Sequence, residues 1–376
     1  MTITTVKRKL SIIEMISISK EWGGIEQHVR DVSQSLTANG HKVNIVTRPV
    51  ELLVQEFSKV CPVNVLPIRS AIDIETIWKL AGLIKKEQVD IIHTHTSRDS
   101  WLAVFAVRLA GRGKVVTTRH MPFPAKTDAI HISLFRRISA VICVSNFVKQ
   151  RFLANKPALD LNKVQVVYPG IDIERFSTCQ TVDIRAQLNL TPSEFVVGFA
   201  GRLTKEKGVH VLIEAIAKIN NQGKYCRLLV AGGVNPNTPD YLNQLRSQAD
   251  NLGISHLVDF YGFTTDIVSV MRSINVLVLP SVIPETFGLV LAEAMLAGRP
   301  AISTRTGAQQ EVIQDEQTGF IIPPESVDAL AEAIIRLIDN PKQAEDMGNS
   351  GREYVISHFS KNAMRDNLED VFLQLL

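Results

Sequence analysis

The stretch SVIPETFGLVLAEAMLAG, residues 281–298, carries two carboxylates, Glu285 and Glu293, in otherwise apolar surroundings with a glycine between them. Glutamates usually sit in water, so the neighbours decide whether these two do chemistry. NVLVLPS ends a strand near Ser281, VIPETFG reads as a loop, and a helix starts near Gly288. The first N–H groups of a helix lack partners and the dipole there is positive. Gly288 lets a phosphate come close to that backbone. Glu285 precedes the helix, and Glu293 lies about five residues into it, roughly 7–8 Å along. Two carboxylates bracketing a phosphate can hold sugar hydroxyls on one side and ribose hydroxyls on the other.

Further candidates follow strands. In GFAGRLTKEKGVHVLIEA (198–215), Arg202 and Lys207 can converge on a diphosphate, one as a fork and the other as a point charge. In GGIEQHV, Gly23 and Gly24 open a helix whose amides can face a phosphate, although a plain turn reads as well. His120 ends the strand in VVTTRHMPFP, and His93 and His95 end another in IIHTHTS. Three strand-end histidines raise a metal site. No carboxylate or cysteine shares their spacing, so no bound metal is expected, and His28, His41 and His131 read as ordinary.

PETFGLVLAEAM is similar to the E-x7-E signature of retaining glycosyltransferases of the GT-B fold, above all glycosyltransferase family 4 (glycosyl transferases group 1). The diglycine, the G-R-L…K-G pattern and the strand-end His120 come in the family's order and span nearly the whole chain. The resemblance implies transfer of a sugar from a nucleotide-diphosphate sugar to an acceptor hydroxyl with retention. It favours a UDP-sugar donor and a role in bacterial lipopolysaccharide or other envelope polysaccharide or glycolipid synthesis. It assigns catalytic roles to Glu285, His120, Arg202 and Lys207. It assigns donor binding to Gly23, Gly24, Arg202, Lys207, Phe287, Gly288, Leu289 and Glu293. It implies no metal and no other cofactor, and the chain has no Asp-x-Asp of the kind that holds a divalent ion in transferases of the other main fold. Two departures stand out. YPGID (168–172) replaces the frequent Asn-Gly-Val-Asp, and Gly307-Ala308 stands where Gly-Gly is frequent. Three other readings stay open on the residues: a glycoside hydrolase using Glu285 and Glu293 as acid and nucleophile, a non-catalytic nucleotide-sugar-binding protein, and a sugar-nucleotide epimerase.

The elements that must position these residues alternate between Val/Ile-rich runs and amphipathic runs, the pattern of βαβ units and parallel sheets. LSIIEMIS (10–17) reads as the first strand, and residues 23–40 as a helix with Ile25, Val29, Val32 and Leu36 on one face. Turn residues and polar clusters break the rhythm over 168–194, where a linker is expected, and a second strand–helix series follows. A chain of 376 residues exceeds what one core usually supports. The expectation is an α/β protein of two Rossmann-like doubly wound domains, the GT-B arrangement, facing each other across a crevice. The N-terminal, acceptor-binding domain takes 1–180 and the C-terminal, nucleotide-sugar-binding domain 181–359, with a helix at 360–376 returning to the first.

Residues 1–180 carry 25 Lys and Arg against 15 Asp and Glu, a net +10, whereas the remainder is net −7. A basic half suggests an anionic partner. AKTDAIHISLFRRISAV reads as amphipathic, with Ile130, Leu134 and Ile138 on one face beside Arg136 and Arg137, either a core-facing helix with solvated arginines or a segment able to lie on an anionic leaflet. Expected partners are the nucleotide-diphosphate sugar, a sugar or lipid-linked acceptor and an anionic membrane surface, with no nucleic acid. Four scattered cysteines exclude a disulfide framework and fit a reducing compartment. The apolar run at the start is broken by Glu14 and lacks a cleavage site, and no apolar run reaches membrane-spanning length. The expected location is cytoplasmic, peripheral on the inner face of the cytoplasmic membrane.

Overall fold

A computed structural model describes residues 8–18, 22–234 and 238–376. The basic residues at the start of the chain, Lys7, Arg8 and Lys9, therefore lie partly outside the described residues. The chain divides into two compact units, Met1–Gly170 with Lys361–Leu376, and Ile171–Ser360.

The first unit alternates β1 (Ser11–Ile16), α1 (Gly24–Ala38), β2 (Lys42–Thr47), α2 (Glu51–Ser58), β3 (Val63–Val65), α3 (Ile74–Lys86), β4 (Ile91–Thr94), α4 (Ser97–Ala110), β5 (Lys114–Arg119), α5 (Ala129–Arg137), β6 (Ala140–Cys143), α6 (Asn146–Leu153) and β7 (Val164–Val166). The strands form one parallel sheet in the order β3-β2-β1-β4-β5-β6-β7. Its central strands β1, β2, β4, β5 and β6 are buried on both faces, which is why they read as near-continuous apolar runs. Val29, Val32 and Leu36 of α1 are fully buried in the core.

The second unit holds α7 (Ile173–Thr178), α8 (Ile184–Gln187), β8 (Val196–Ala200), α9 (Val209–Asn221), β9 (Arg227–Ala231), α10 (Tyr241–Asn251), β10 (Val258–Gly262), α11 (Ile267–Ser273), β11 (Val276–Leu279), α12 (Leu289–Leu296), β12 (Ala301–Thr304), α13 (Gln309–Val312), β13 (Gly319–Ile322), α14 (Val327–Asp339) and α15 (Pro341–His358). Its six strands run parallel in the order β10-β9-β8-β11-β12-β13. In both sheets the order reverses beside the first strand of the series, and loops that follow strands gather at the carboxyl edge, where ligands of such sheets bind.

The last helix, α16 (Lys361–Leu373), belongs to the first unit. Met364, Leu368, Val371 and Phe372 enter that unit's core. Glu369 is buried and takes the His41 Nε2 hydrogen at 3.0 Å, while His41 Nδ1 accepts from the Leu10 N–H at 3.0 Å. The change of unit comes at Gly170–Ile171, ten residues before the expected boundary at 180. Residues 171–180 are tied to the second unit's backbone. The Ile171 N–H bonds the Phe359 carbonyl at 2.7 Å, Arg175 bonds the Thr265 carbonyl at 2.6 Å, and Arg272 bonds the Phe176 carbonyl at 2.7 Å. Within YPGID, the glycine and aspartate that the family pattern shares have structural duties here. Gly170 leaves room for α16, since a Cβ would stand 2.7 Å from the Lys361 Cα, and Asp172 caps α7 by accepting from the Arg175 N–H at 3.0 Å.

Of its two readings, the amphipathic segment around α5 takes the core-facing one. Leu134 and Ile138 are spent on the core, and only Ile130, 67% exposed, stays on the surface. The helix turns its apolar stripe inward, as an amphipathic helix on a globular unit does.

Candidate active site

In the second unit, three loops at the carboxyl edge meet backbone to backbone. Gly208 ends the turn after β8 with φ of +72°, and a Cβ there would stand 2.0 Å from the Pro280 carbonyl oxygen. The Val282 N–H reaches the Glu206 carbonyl at 2.8 Å. Gly307, in the loop after β12, lies so close that a Cβ would meet the Glu285 carbonyl oxygen at 2.4 Å, and the Ala308 N–H donates to that oxygen at 3.0 Å. The Gly-Ala departure therefore keeps the one glycine that contact requires.

This approach brings Lys207 and Glu285 together from 78 residues apart. The ammonium donates to Glu285 Oε1 at 2.6 Å, and the Ser281 hydroxyl donates to the same oxygen at 2.5 Å. The lysine side chain is 29% exposed and the glutamate 16%, so the pair sits at the surface of its loop rather than in the core. Gly288 follows with φ of +93° and starts α12. The Phe287 ring is buried, edge-on to Phe359 at 5.2 Å, and anchors the loop to the core.

A cavity of about 510 Å³ opens at the same edge. Arg202, Gly201, Gly233, Phe263, Leu289 and Glu293 are among its lining residues. It brings Arg202, Leu289 and Glu293 together, whereas Glu285 and Lys207 are not among the residues that line it. The volume falls in the range of small-molecule sites. A cation, a carboxylate and the first turn of a helix suit a phosphate with a hydroxylated sugar attached.

In the first unit the diglycine is a helix cap. The Gly23 N–H is taken by Glu26 Oε2 at 3.1 Å, and nothing lies within 4 Å of a Cβ built on Gly24. The Gly23 amide is therefore already satisfied, and an acidic group in the first turn opposes an anion there.

His120 is half-buried at the end of β5 and joins a cluster that the spacing did not reveal. Parallel pairing of β1 with β4 puts Glu14 opposite His93, with His95 two residues on along the same face. Glu14 Oε2 lies 2.9 Å from His93 Nδ1 and 2.8 Å from His95 Nε2. His93 Nε2 lies 2.6 Å from the Thr118 hydroxyl, and His95 Nδ1 lies 3.1 Å from His120 Nε2. His28, on α1, sets its ring edge-on to His120 at 5.0 Å. Burial, then the other histidines, pushes His95 and His120 well below the usual imidazole range, and burial lowers His28 to about 4. All three rings are neutral near pH 7. Nearby, burial raises Asp99 to about 6 although its Oδ2 accepts from the Ser17 N–H. One ligand nitrogen from each of His28, His95 and His120 lies within 4.8 Å of the others, and Glu14, His93 and His95 form a second such group. The signal for this cluster was Glu14 itself, a carboxylate inside an apolar strand.

The family model for Glycosyltransferase Family 4 matches residues 22–175, and that for Glycosyl transferases group 1 matches residues 181–354. An uncharacterized glycosyltransferase of Methanocaldococcus jannaschii is 28% identical over 372 residues, covering 90% of this chain and 89% of the relative. The UDP-Gal:alpha-D-GlcNAc-diphosphoundecaprenol alpha-1,3-galactosyltransferase of Escherichia coli is 26% identical, covering 81% of this chain and 80% of the relative. The Anabaena protein HepE, solved with UDP, superposes with a TM-score of 0.85 at 22% identity, covering 97% of this chain and all of that one.

Proposed function

Because this chain belongs to the glycosyltransferases, with a Family 4 domain followed by a group 1 domain, we propose that it moves a sugar from a nucleotide-diphosphate sugar, a UDP-sugar first among them, to an acceptor hydroxyl with retention. The observation that carries this reading is the second unit's cavity, where Arg202 and Glu293 flank the first turn of α12. Glu293 accepts from the ribose hydroxyls, and Arg202 and the α12 N-terminus take the diphosphate. As the anomeric bond breaks, its electron pair passes to the leaving phosphate oxygen, and fixed positive groups stabilise that charge. Lys207 rests on Glu285 at 2.6 Å. A diphosphate competes for the ammonium and frees Glu285 oxygens for the sugar hydroxyls. The attacking hydroxyl gives its proton to the leaving phosphate oxygen, so the step needs no protein base and no divalent metal. His120 serves a substrate hydroxyl from the first unit. In this reading Gly288 and Leu289 contribute through the helix start, while Gly23, Gly24 and the Phe287 ring serve the scaffold.

The test is a thermal-shift panel of UDP-, GDP- and ADP-sugars, followed by donor hydrolysis and transfer with and without chelator. A nucleotide sugar at 100 times its Kd adds about 2.7 kcal/mol of stability. Absence of stabilisation by every nucleotide sugar overturns the donor reading, and loss of transfer on chelation, restored by divalent metal, overturns the metal-free step.

The acceptor we propose is carried on an envelope lipid and met at the cytoplasmic face of the membrane. The Escherichia coli relative's name specifies a diphosphoundecaprenol-linked acceptor. No helix of the described residues is long and apolar enough to cross a membrane. The first unit carries 26 Lys and Arg against 16 Asp and Glu, a net +10. It also exposes Ile72, Ile74 and Trp78 at the start of α3, and Met121 and Phe123 after β5. Both segments follow strands, so both lie at the carboxyl edge of its sheet. Trp with aliphatic side chains on a basic unit suits an anionic lipid surface. Co-sedimentation with anionic vesicles is expected to fall with salt and with Ile74→Ser and Trp78→Ser. No binding at low salt removes the membrane from this reading.

A further inference from the structure

We infer that Glu14 and His95 are positioning residues that set the polarity of His120, so that it offers substrate a bare Nδ1 and acts only as a hydrogen-bond acceptor. The inference rests on the glycosyltransferase reading for the identity of the hydroxyl it meets. The wiring itself rests on the geometry.

Glu14 is fully buried on β1. A carboxylate accepts and does not donate, so the two nitrogens facing Glu14 Oε2, His93 Nδ1 at 2.9 Å and His95 Nε2 at 2.8 Å, both carry hydrogen. His93 is consistent with this, because its other nitrogen, 2.6 Å from the Thr118 hydroxyl, has a donor to accept from. His95 is a neutral ring with its hydrogen on Nε2, which leaves Nδ1 bare. That bare nitrogen lies 3.1 Å from His120 Nε2 and can only accept, so His120 Nε2 carries the hydrogen. His120 is also neutral, and its Nδ1 is therefore a lone pair. Among the described residues no group hydrogen-bonds His120 Nδ1, and the ring is half-buried rather than sealed.

The consequence is chemical. A lone pair takes a hydrogen bond from a hydroxyl and repels a carbonyl or phosphate oxygen. A hydroxyl held this way turns its own lone pairs away from the ring, which fixes the rotation of a positioned donor-sugar hydroxyl, not of the attacking one. The choice is made three side chains deep, at a carboxylate that never touches substrate. A histidine without the chain behind it would sample both tautomers.

The experiment is a two-bond proton–nitrogen correlation on the full chain labelled with 15N-histidine, near neutral pH. The expected spectrum shows His95 and His120 as neutral rings with hydrogen on Nε2. Glu14→Gln can turn its amide nitrogen toward His95 and reverse the chain. His95 and His120 are then expected to move toward the Nδ1–H form, with kcat for transfer falling about tenfold, the size of one lost hydrogen bond. Nucleotide affinity, a property of the second unit, is expected to stay within about twofold of the parent. His120→Asn puts an acceptor oxygen near the position of Nδ1 and is expected to retain more kcat than His120→Gln, whose amide sits nearer Nε2. A wild-type spectrum showing His120 with hydrogen on Nδ1, as an imidazolium, or bound to metal overturns the inference, and so does an unchanged His120 tautomer in folded Glu14→Gln. The wild-type spectrum needs no variant, so a Glu14→Gln chain that fails to fold leaves the inference decided. A protein with the expected spectrum that turns over no sugar nucleotide refutes the glycosyltransferase step and not the wiring.

Discussion

Glu14 and Glu285 are both carboxylates gripped by nitrogen donors, and the two units hold them in opposite ways. Glu14 stands on a central strand, fully buried, facing two imidazoles contributed by a neighbouring strand. Glu285 stands on a loop, partly exposed, facing a lysine from another loop. Strand-mounted groups share the rigidity of the sheet, and burial favours the uncharged form of the imidazoles His95 and His120. Loop-mounted groups stay within reach of water, and they can exchange partners when a ligand arrives. A unit that orients a neutral hydroxyl is served by the first arrangement. A unit that must stabilise a charged leaving group is served by the second.

The sharpest way to break the comparison is at Glu285. Glu285→Gln is expected to keep the fold and lower transfer on the order of 10³-fold, because the side chain is held by two donors on a loop and contributes little to any core. Steady-state kinetics check this, and activity within a few-fold of the parent would mean the Lys207–Glu285 pair is only a surface ion pair. Lys207→Ala is expected to cost on the order of 10²-fold in kcat, as for one preorganised donor. Since the two residues touch, the double variant should lose less than the product of the singles. Strict multiplicativity would show that they act separately.

The buried cluster is tested by pH. His28, His95 and His120 have folded pKa values below the unfolded imidazole value, so the unfolded chain binds more protons between them. Their contribution is intact above about pH 6.5 and is lost as pH falls toward 4 and below. Asp99, raised to about 6, has the opposite sign and favours the fold as pH drops through that value. Three groups against one leave a net loss in acid of roughly 1 kcal/mol per pH unit for each uncompensated proton. All three tryptophans, Trp22, Trp78 and Trp101, lie in the first unit, so their fluorescence during urea unfolding reads that unit alone. A midpoint unchanged between pH 7.5 and 5 would remove the distinction between the two carboxylate sites.

The smallest effect is expected at Glu293. Glu293→Ala should weaken nucleotide binding about tenfold and leave kcat nearly unchanged, because a ribose contact is made alike in the ground and transition states. A fall in kcat with unchanged affinity would move Glu293 out of the binding role.

The sequence by itself determined the repeating strands and helices, because a strand buried on both faces needs an unbroken apolar run and a helix on its surface needs a stripe. It also marked Arg202, Lys207 and Glu285, which stand on post-strand loops that must lie at the carboxyl edge, and Glu293, in the helix that one of those loops starts. Tertiary structure alone decided what those residues meet. Lys207 and Glu285 are 78 positions apart, and their pairing depends on Gly208 and Gly307 letting three loops touch. Glu14 and His95 are 81 apart and meet only because β1 and β4 pair in one register. A shift of that register by one residue would turn Glu14 to the other face of the sheet. The burial of the Phe287 ring and of Leu134 and Ile138, and the change of unit at Gly170, likewise follow from which surface each segment packs against. Periodicity reports that an element has a face, and only the neighbours decide what that face meets.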